Sequence, residues 1–419
     1  MTTIALLNVK YSPNLGDGII AECLENEIRR LLPDADVVSV DLAGREAFGT
    51  GLDDHRGAVL TFLDKLPRGL RSLIVPLAVG ALIRLRYRSS WQCLLRQADY
   101  AVLGGGQLLA DADLNFPLKI DGVMHEVRKR GIPTAIFGVG VAENMSRRGH
   151  ALFADALSNA RLAHVATRDR HSQANWNTRF EPATKMSAKL CCDPGLLCCD
   201  LYREVQPRDR RQAPTIGLGI THPRTLALHG GSSGNISFEA AQAFWIELCR
   251  MLRDKGHAVE LFTTGPADDT EFLQAIYRAT RELGVAQAPR PRRPAELART
   301  IARFDAVAAH RLHANIVAYS FRIPNVVLRW DRKVDAFMTS VGRERFVADA
   351  AEGQARLVAN TIEKALSEGV DRSRHGRTLD AARASIESCL SALMAKSPDV
   401  ADERPSQVED ALRPRPAAG

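Results

Sequence analysis

The run Phe304-Asp305-Ala306-Val307-Ala308-Ala309-His310-Arg311-Leu312-His313-Ala314 reads as a buried strand entering a helix, with Arg311 and His313 at the junction. A helix start presents backbone N–H groups without intrahelical partners and the positive end of the helix dipole, a setting that attracts an anion. Arg311 adds a planar fork matched to phosphate or carboxylate. His313 adds a group able to give and take a proton near neutral pH. Ligands of parallel α/β sheets bind at such strand ends, so the pair reads as functional rather than as a surface arginine and a capping histidine. Lys333, in Trp330-Asp331-Arg332-Lys333 after the next strand, shares that cleft edge if the two strands are neighbours. A solvated lysine at a helix start fits the same spacing.

The first half offers a second set. In Asn14-Leu15-Gly16-Asp17, Asp17 is placed as a helix N-cap, and Gly16 permits a tight turn or close ligand approach. Gly104-Gly105-Gly106 and Gly138-Val139-Gly140 are further strand-end glycines. None fits Gly-x-Gly-x-x-Gly and no Walker lysine follows, so neither a dinucleotide fold nor a P-loop is expected. They open a cleft for a sugar or phosphate, or they turn the chain. Arg168 follows another strand as a further cation, with Asp169 as its partner or a helix cap. Four of the eight cysteines sit in Cys191-Cys192-Asp193-Pro194-Gly195-Leu196-Leu197-Cys198-Cys199. Paired zinc ligands stand two to four residues apart, whereas these are adjacent and would point to opposite faces of a strand. Buried small residues are expected there, and no metal.

The elements that must position these residues alternate. Strands are read at 4–9, 35–42, 100–103, 134–138, 163–167 and 189–192, then at 215–220, 257–263, 304–309 and 325–330. Helical periodicity lies between them. The expectation is an α/β chain of two Rossmann-like doubly wound domains facing a cleft, a GT-B-like architecture. The N-terminal domain is read as residues 1–201 with an insert at about 49–97, the linker as 202–214 and the C-terminal domain as 215–396. The Pro- and Ala-rich stretch 397–419 is read as a disordered tail. A hydrophobic fraction of 45% with 25% charged residues suits a soluble globular protein. The net charge of +7 fits phosphorylated small molecules, nucleic acid and acidic lipid alike. The start, Met1-Thr2-Thr3-Ile4, runs directly into a strand, so a reducing cytoplasm is expected.

One segment breaks the alternation. Leu73 to Ile83 is an apolar run preceded by Arg68 and Arg71 and followed by Arg84, Arg86 and Arg88. It is too short to span a bilayer, which needs roughly 20 residues. Two readings stand: an interfacial membrane contact over about 70–88, or a helix packed on the domain and made irregular by Pro76 and Gly80.

The order of these motifs resembles the polysaccharide pyruvyltransferase family. The match comprises Asn-x-Gly-Asp after the first strand, the triple-glycine strand end, Gly-Val-Gly-Val, Thr-Arg-Asp-Arg-His-Ser at 167–172 and Cys-Asp-Pro-Gly-Leu at 192–196. Arg311-Leu312-His313-Ala314, Pro324 and Lys333 complete it. The resemblance covers roughly residues 4 to 345 and implies a GT-B-like transferase that uses phosphoenolpyruvate as co-substrate, without another cofactor. It implies a pyruvate ketal bridging two hydroxyls of one sugar, on a cell-surface polysaccharide or its lipid-linked precursor, with release of phosphate. Arg168, Arg311 and Lys333 would hold phosphate and carboxylate, and His313 would be the acid/base. Asn14, Gly16, Asp17, Gly105 and Gly106 would line the substrate cleft. No nucleic-acid partner is implied. Two rivals share the fold: a nucleotide-sugar glycosyltransferase, with Asp268, Asp269 or Glu271 on a ribose, and a non-catalytic polysaccharide-assembly protein.

Overall fold

A computed structural model describes residues 1–49, 68–111, 113–204, 213–229, 237–351 and 353–396. Most of the expected linker, residues 50–67 of the expected insert and the tail from 397 lie outside the described residues.

Among the described residues twelve strands form two six-stranded sheets, every pairing parallel. The first sheet contains β1 (Thr3–Asn8), β2 (Asp36–Asp41), β3 (Tyr100–Gly104), β4 (Thr134–Val139), β5 (Leu162–Thr167) and β6 (Lys189–Leu190), in the order β2-β1-β3-β4-β5-β6. The second contains β7 (Thr215–Gly219), β8 (Ala258–Phe262), β9 (Ala286–Gln287), β10 (Ala306–Ala309), β11 (Asn325–Arg329) and β12 (Val347–Asp349), in the order β12-β11-β10-β7-β8-β9. Helices cover both faces, so central strands such as β3, β4 and β7 are buried throughout. Their unbroken apolar runs follow from that double cover. β10 lies beside β11, which places Arg311 and Lys333 on one sheet edge.

The two faces of the first sheet pack differently. One, with Leu7, Leu103, Val139, Trp91, Phe153 and Trp176, forms its own core. The other, with Ile4, Val102 and the Leu15–Leu31 helix, belongs to one continuous core with the second domain. Ser320 stitches this junction by donating to Leu196 O and accepting from Cys199 N, at 2.7 and 2.9 Å.

The division at residue 215 needs one correction. Helix Arg372–Met394, expected in the second domain, crosses back onto β4 and β5 of the first. There Arg383 pairs with Asp200 and Lys396 Nζ donates to Leu162 O at 2.6 Å. A long amphipathic helix reads the same in sequence whichever sheet it covers.

The insert is also more regular than Pro76 and Gly80 implied. Helix Arg68–Leu82 runs through Pro76, and the irregularity is a π-turn at Ile83–Tyr87 before helix Arg88–Leu95. Trp91 fixes the insert, fully buried, by donating Nε1–H to Asp41 O at 3.1 Å. Among the described residues no helix is long and apolar enough to cross a membrane.

Candidate functional site

Each sheet has one point where successive connections leave in opposite directions: between β1 and β3 in the first, between β7 and β10 in the second. Loops diverge there and leave a crevice at the carboxyl ends of the strands. In this chain the two crevices meet. Gly16 lies in the first turn after β1, and a Cβ built on it would stand 2.5 Å from His313 Nδ1. The imidazole from the second domain therefore rests directly on the backbone of the first. Leu15 N donates to Thr264 O at 3.0 Å, and Thr264 Oγ1 to Asn14 Oδ1 at 3.3 Å, which holds the same contact from the side.

Asp17 is not the helix cap. The helix begins at Leu15 with Asn14 in the cap position, and Asp17 sits in its first turn, accepting from Asn14 Nδ2 at 3.4 Å. No side chain caps this helix, nor helix Leu312–Ser320, whose cap residue is Arg311. These two helix starts face one another across the crevice. Gly105 and Gly106 both adopt positive φ, 82° and 74°, so the loop after β3 needs glycine at both positions. Gly106 approaches Asp17 at the crevice, whereas Gly105 packs on Ile20 behind it. Asn14, Gly16, Asp17, Gly106 and His313 are thus brought together, and Gly105 shapes the loop.

Arg168, after β5, is almost completely buried. Its Nη2 donates to Gln107 Oε1 at 2.8 Å. Gly140 has to be glycine, because a Cβ there would sit 2.3 Å from that Gln107 oxygen and 2.9 Å from Arg168 Nη2. The rest of the guanidinium is not satisfied. Nη1 stands 3.8 Å from Asp193 Oδ2 and Nε 3.8 Å from Asp169 Oδ2, both beyond hydrogen-bond distance. His313 Nε2 approaches the same Asp193 oxygen at 3.7 Å. Arg168 Nε and Nη1, Asp193 Oδ2 and His313 Nε2 are therefore four buried polar atoms without a hydrogen-bond partner among the described residues; three meet at the Asp193 carboxylate, and Arg168 Nε faces Asp169. Buried polar atoms are almost always satisfied, so this concentration marks a place built for a ligand. Burial alone would push the Asp193 carboxyl up; His313, Arg168 and the Gly195 N–H outweigh it and hold it below the ordinary carboxylate range.

Lys333 enters from the second domain, one strand beyond His313. Its Nζ pairs with Asp331 Oδ2 at 2.9 Å and lies 4.5 Å from the centre of the Trp330 ring. Burial lowers its pKa; Asp331 opposes that, and Arg168 adds to it, which places the two cations within electrostatic reach. Trp330 is itself fixed by donating Nε1–H to His310 O at 2.6 Å. His310 is pushed down to about 3 by burial and by Arg311, so it stays neutral and in the core. Of the two neighbouring histidines, only His313 reaches the cluster.

Arg311 stands apart. Its Nε and Nη2 both donate to Asp269 Oδ2, at 3.2 and 2.7 Å, and Asp269 is fully buried. The other Asp269 oxygen accepts from His222 N at 2.9 Å. Arg311 thus joins three strand-end loops of the second domain, and its fork is committed to a carboxylate of the protein. Asp269 is equally committed, which removes it as a ribose ligand.

Arg168, Asp193 and Lys333 also wall a cavity of about 530 Å³ between the domains. His313 reaches Asp193 from the Gly16 side, outside those walls. Arg374 and Arg377, from the returning C-terminal helix, complete the far wall, giving four cations to two carboxylates. Sequence reasoning missed Asp193, Gln107, Arg374 and Arg377. Asp193 was visible inside the Cys-Asp-Pro-Gly-Leu motif; the two arginines carried no signal, since nothing in their helix says which cleft it borders. Cys191 and Cys192 border the cavity and Cys198 lies in the core. All eight cysteines are free, and among the described residues none joins a cluster able to hold a metal ion.

Comparison with known proteins agrees with this arrangement. Among solved structures the chain is similar to UDP-GlcNAc 2-epimerase from Neisseria meningitidis bound to UDP-GlcNAc, at 8% identity and TM-score 0.54, over 94% of this chain and 100% of that one. It is similar also to MnaA of S. aureus in a co-structure with UDP, at 10% identity and TM-score 0.51, over 92% and 91%. At such identities the likeness shows the fold alone, the GT-B-like pair of Rossmann-like domains. No curated protein matches the sequence. A sequence model of the family described as polysaccharide pyruvyl transferase matches residues 14–332, from the Asn14 loop through β11 to the turn that leads into Lys333. The chain belongs to the polysaccharide pyruvyl transferase family.

Proposed function

We propose that the chain transfers the enolpyruvyl group of phosphoenolpyruvate to a sugar of a cell-surface polysaccharide or its lipid-linked precursor, closing a pyruvate ketal and releasing phosphate. The observation that carries the reading is the cluster of four unsatisfied buried atoms on Arg168, Asp193 and His313, with Lys333 beside it. It combines cations for an anionic donor with a proton carrier held against a carboxylate. Arg168 and Lys333 take the phosphate and carboxylate. His313 protonates the methylene carbon of the donor, and positive charge develops at the carbon bearing the phosphate. A sugar hydroxyl attacks that carbon and returns its proton to His313. A second hydroxyl of the same sugar then displaces phosphate, and its proton leaves with the phosphate. Both carbon–oxygen bonds of the ketal come from the sugar, and no redox step is needed. Asp193, 3.7 Å from Nε2, is the carboxylate that faces the imidazole and orients it by charge. Arg311, bonded to Asp269, shapes the loop that carries His313. A lipid-linked acceptor places the reaction in the cytoplasm, at the inner face of the cytoplasmic membrane.

The rival donor is a nucleotide sugar, since the similar epimerase is bound to UDP-GlcNAc. Thermal stabilisation by phosphoenolpyruvate and not by a panel of nucleotide sugars supports the proposal; the reverse result overturns it. His313→Ala is expected to abolish phosphate release while the protein keeps the stabilisation by phosphoenolpyruvate. Collapse of donor binding with unchanged turnover at saturation would remove His313 from the acid/base role.

A further inference from the structure

The insert shows an inverted helix. Among the described side chains of Arg68–Leu82, Pro76 and Val79 are buried, while Leu70, Leu73, Ile74 and Leu77 face outward. Leu73 is 64% exposed, Leu77 74% and Leu85, in the π-turn, 82%. Their spacing of three and four residues puts Leu70, Leu73, Ile74 and Leu77 on one stripe. Isolated exposed leucines need no explanation, but an aligned set of large ones does. The charge around the stripe is one-sided. Residues 68–97 contain six arginines and no aspartate or glutamate. Arg84 and Arg86 follow the stripe directly and are exposed; Arg88 beyond them is also exposed but pairs with Glu126 at 2.8 Å.

We infer that this face docks on an anionic phospholipid bilayer, with the leucines entering the acyl boundary and the arginines meeting the headgroups. Charge complementarity selects that occupant, since a second copy of this face would set arginine against arginine. The position of the insert gives the docking a purpose. Its π-turn packs Tyr87 on Gly44 just beyond β2, Trp91 holds the end of β2, and Arg71 pairs with Asp113 of the loop after β3 at 2.7 Å. All three anchors stand at the carboxyl end of the first sheet, where the crevice opens. A bilayer held there would deliver a lipid-carried sugar to the cleft from the first-domain side; that last step rests on the proposed function, whereas the docking does not.

The test is co-sedimentation of the full chain with phosphatidylcholine vesicles, with and without phosphatidylglycerol. Binding is expected on the anionic vesicles only, to fall with added salt, and to drop at least about tenfold in Leu73→Asp/Leu77→Asp and severalfold in Arg84→Gln/Arg86→Gln. The leucine variant should still be stabilised by phosphoenolpyruvate, which reports an intact fold and donor site independently of lipid. Equal binding to neutral vesicles, no binding at all, or variants that bind as the parent overturn the inference. So does a dimer in solution that the leucine variant dissolves. Loss of donor stabilisation in the parent with vesicle binding retained would defeat the proposed function and leave the docking standing.

Discussion

Arg168 and Arg311 are the same residue type in the same topological position, each just past a parallel strand at the mouth of a cleft, yet the fold uses them differently. Arg311 has a fully buried carboxylate within 2.7 Å and closes on it. Arg168 has two carboxylates at 3.8 Å and bonds to neither, leaving two of its three nitrogens without partners. An arginine that is satisfied by the protein holds loops together; one that is held in place by Gln107 and left short of its counter-ions is prepared for an outside anion. Strand-end position alone does not separate the two. The partner's distance does.

The sharpest test of this contrast is Arg168→Ala. Removal of a preorganised charge from the reacting centre is expected to lower turnover on the order of 10³-fold, with the melting temperature nearly unchanged. Arg168→Lys should recover little, because a point charge cannot replace the fork. Arg311→Ala should do the opposite. Breaking a buried pair leaves Asp269 uncompensated, at a cost of about 3 kcal/mol, read as a lower denaturation midpoint, and activity should fall only as far as the His313 loop loosens. If Arg311→Ala lost turnover without loss of stability, the contrast would be broken. A smaller effect, roughly 10²-fold in turnover, is expected for Gly16→Ala, since the added methyl must displace the His313 ring and a shift of about 1 Å at a catalytic group has that effect. Donor affinity should hold, so the variant separates positioning from binding.

The mildest test uses pH. Burial and the nearby Arg168 lower the Lys333 pKa. A lysine with a lowered folded value begins to lose its charge at a pH where an ordinary one keeps it. Stabilisation by phosphoenolpyruvate should therefore weaken as pH rises through that lowered value, and Lys333→Arg should flatten the slope, since guanidinium does not titrate in this range. An unchanged slope in Lys333→Arg would take Lys333 out of the anion site.

Much of this was legible in the sequence, for identifiable reasons. Central strands such as β3 and β7 announce themselves because burial on both faces forbids polar residues along them. His313, Arg168 and Lys333 stood out because each follows such a strand. The two-residue strand β9 and the three-residue β12 carry too little pattern, so both edges of the second sheet were missed. The commitment of Arg311 depends on Asp269, a long way back in the chain, and no local rule links them. Asp17 was misplaced by one helical turn because Asn14 and Asp17 are both good cap residues, and only backbone geometry decides between them. Pro76 misled for a related reason: a proline disfavours a helix interior, but here helix and proline are pinned against the domain.

The returning helix Arg372–Met394 has a mechanical consequence. The polypeptide passes between the two domains twice, once between residues 204 and 213 and again near residue 370. A single tether would let the halves swivel about each other; two tethers and a shared core resist it. The same passage makes the halves dependent on one another. A fragment ended at residue 201 would leave the surface of β4 and β5 that this helix covers exposed to water, and would lack Arg374 and Arg377 from the cavity wall. The two halves share one core and one closing helix, and neither is whole without the other.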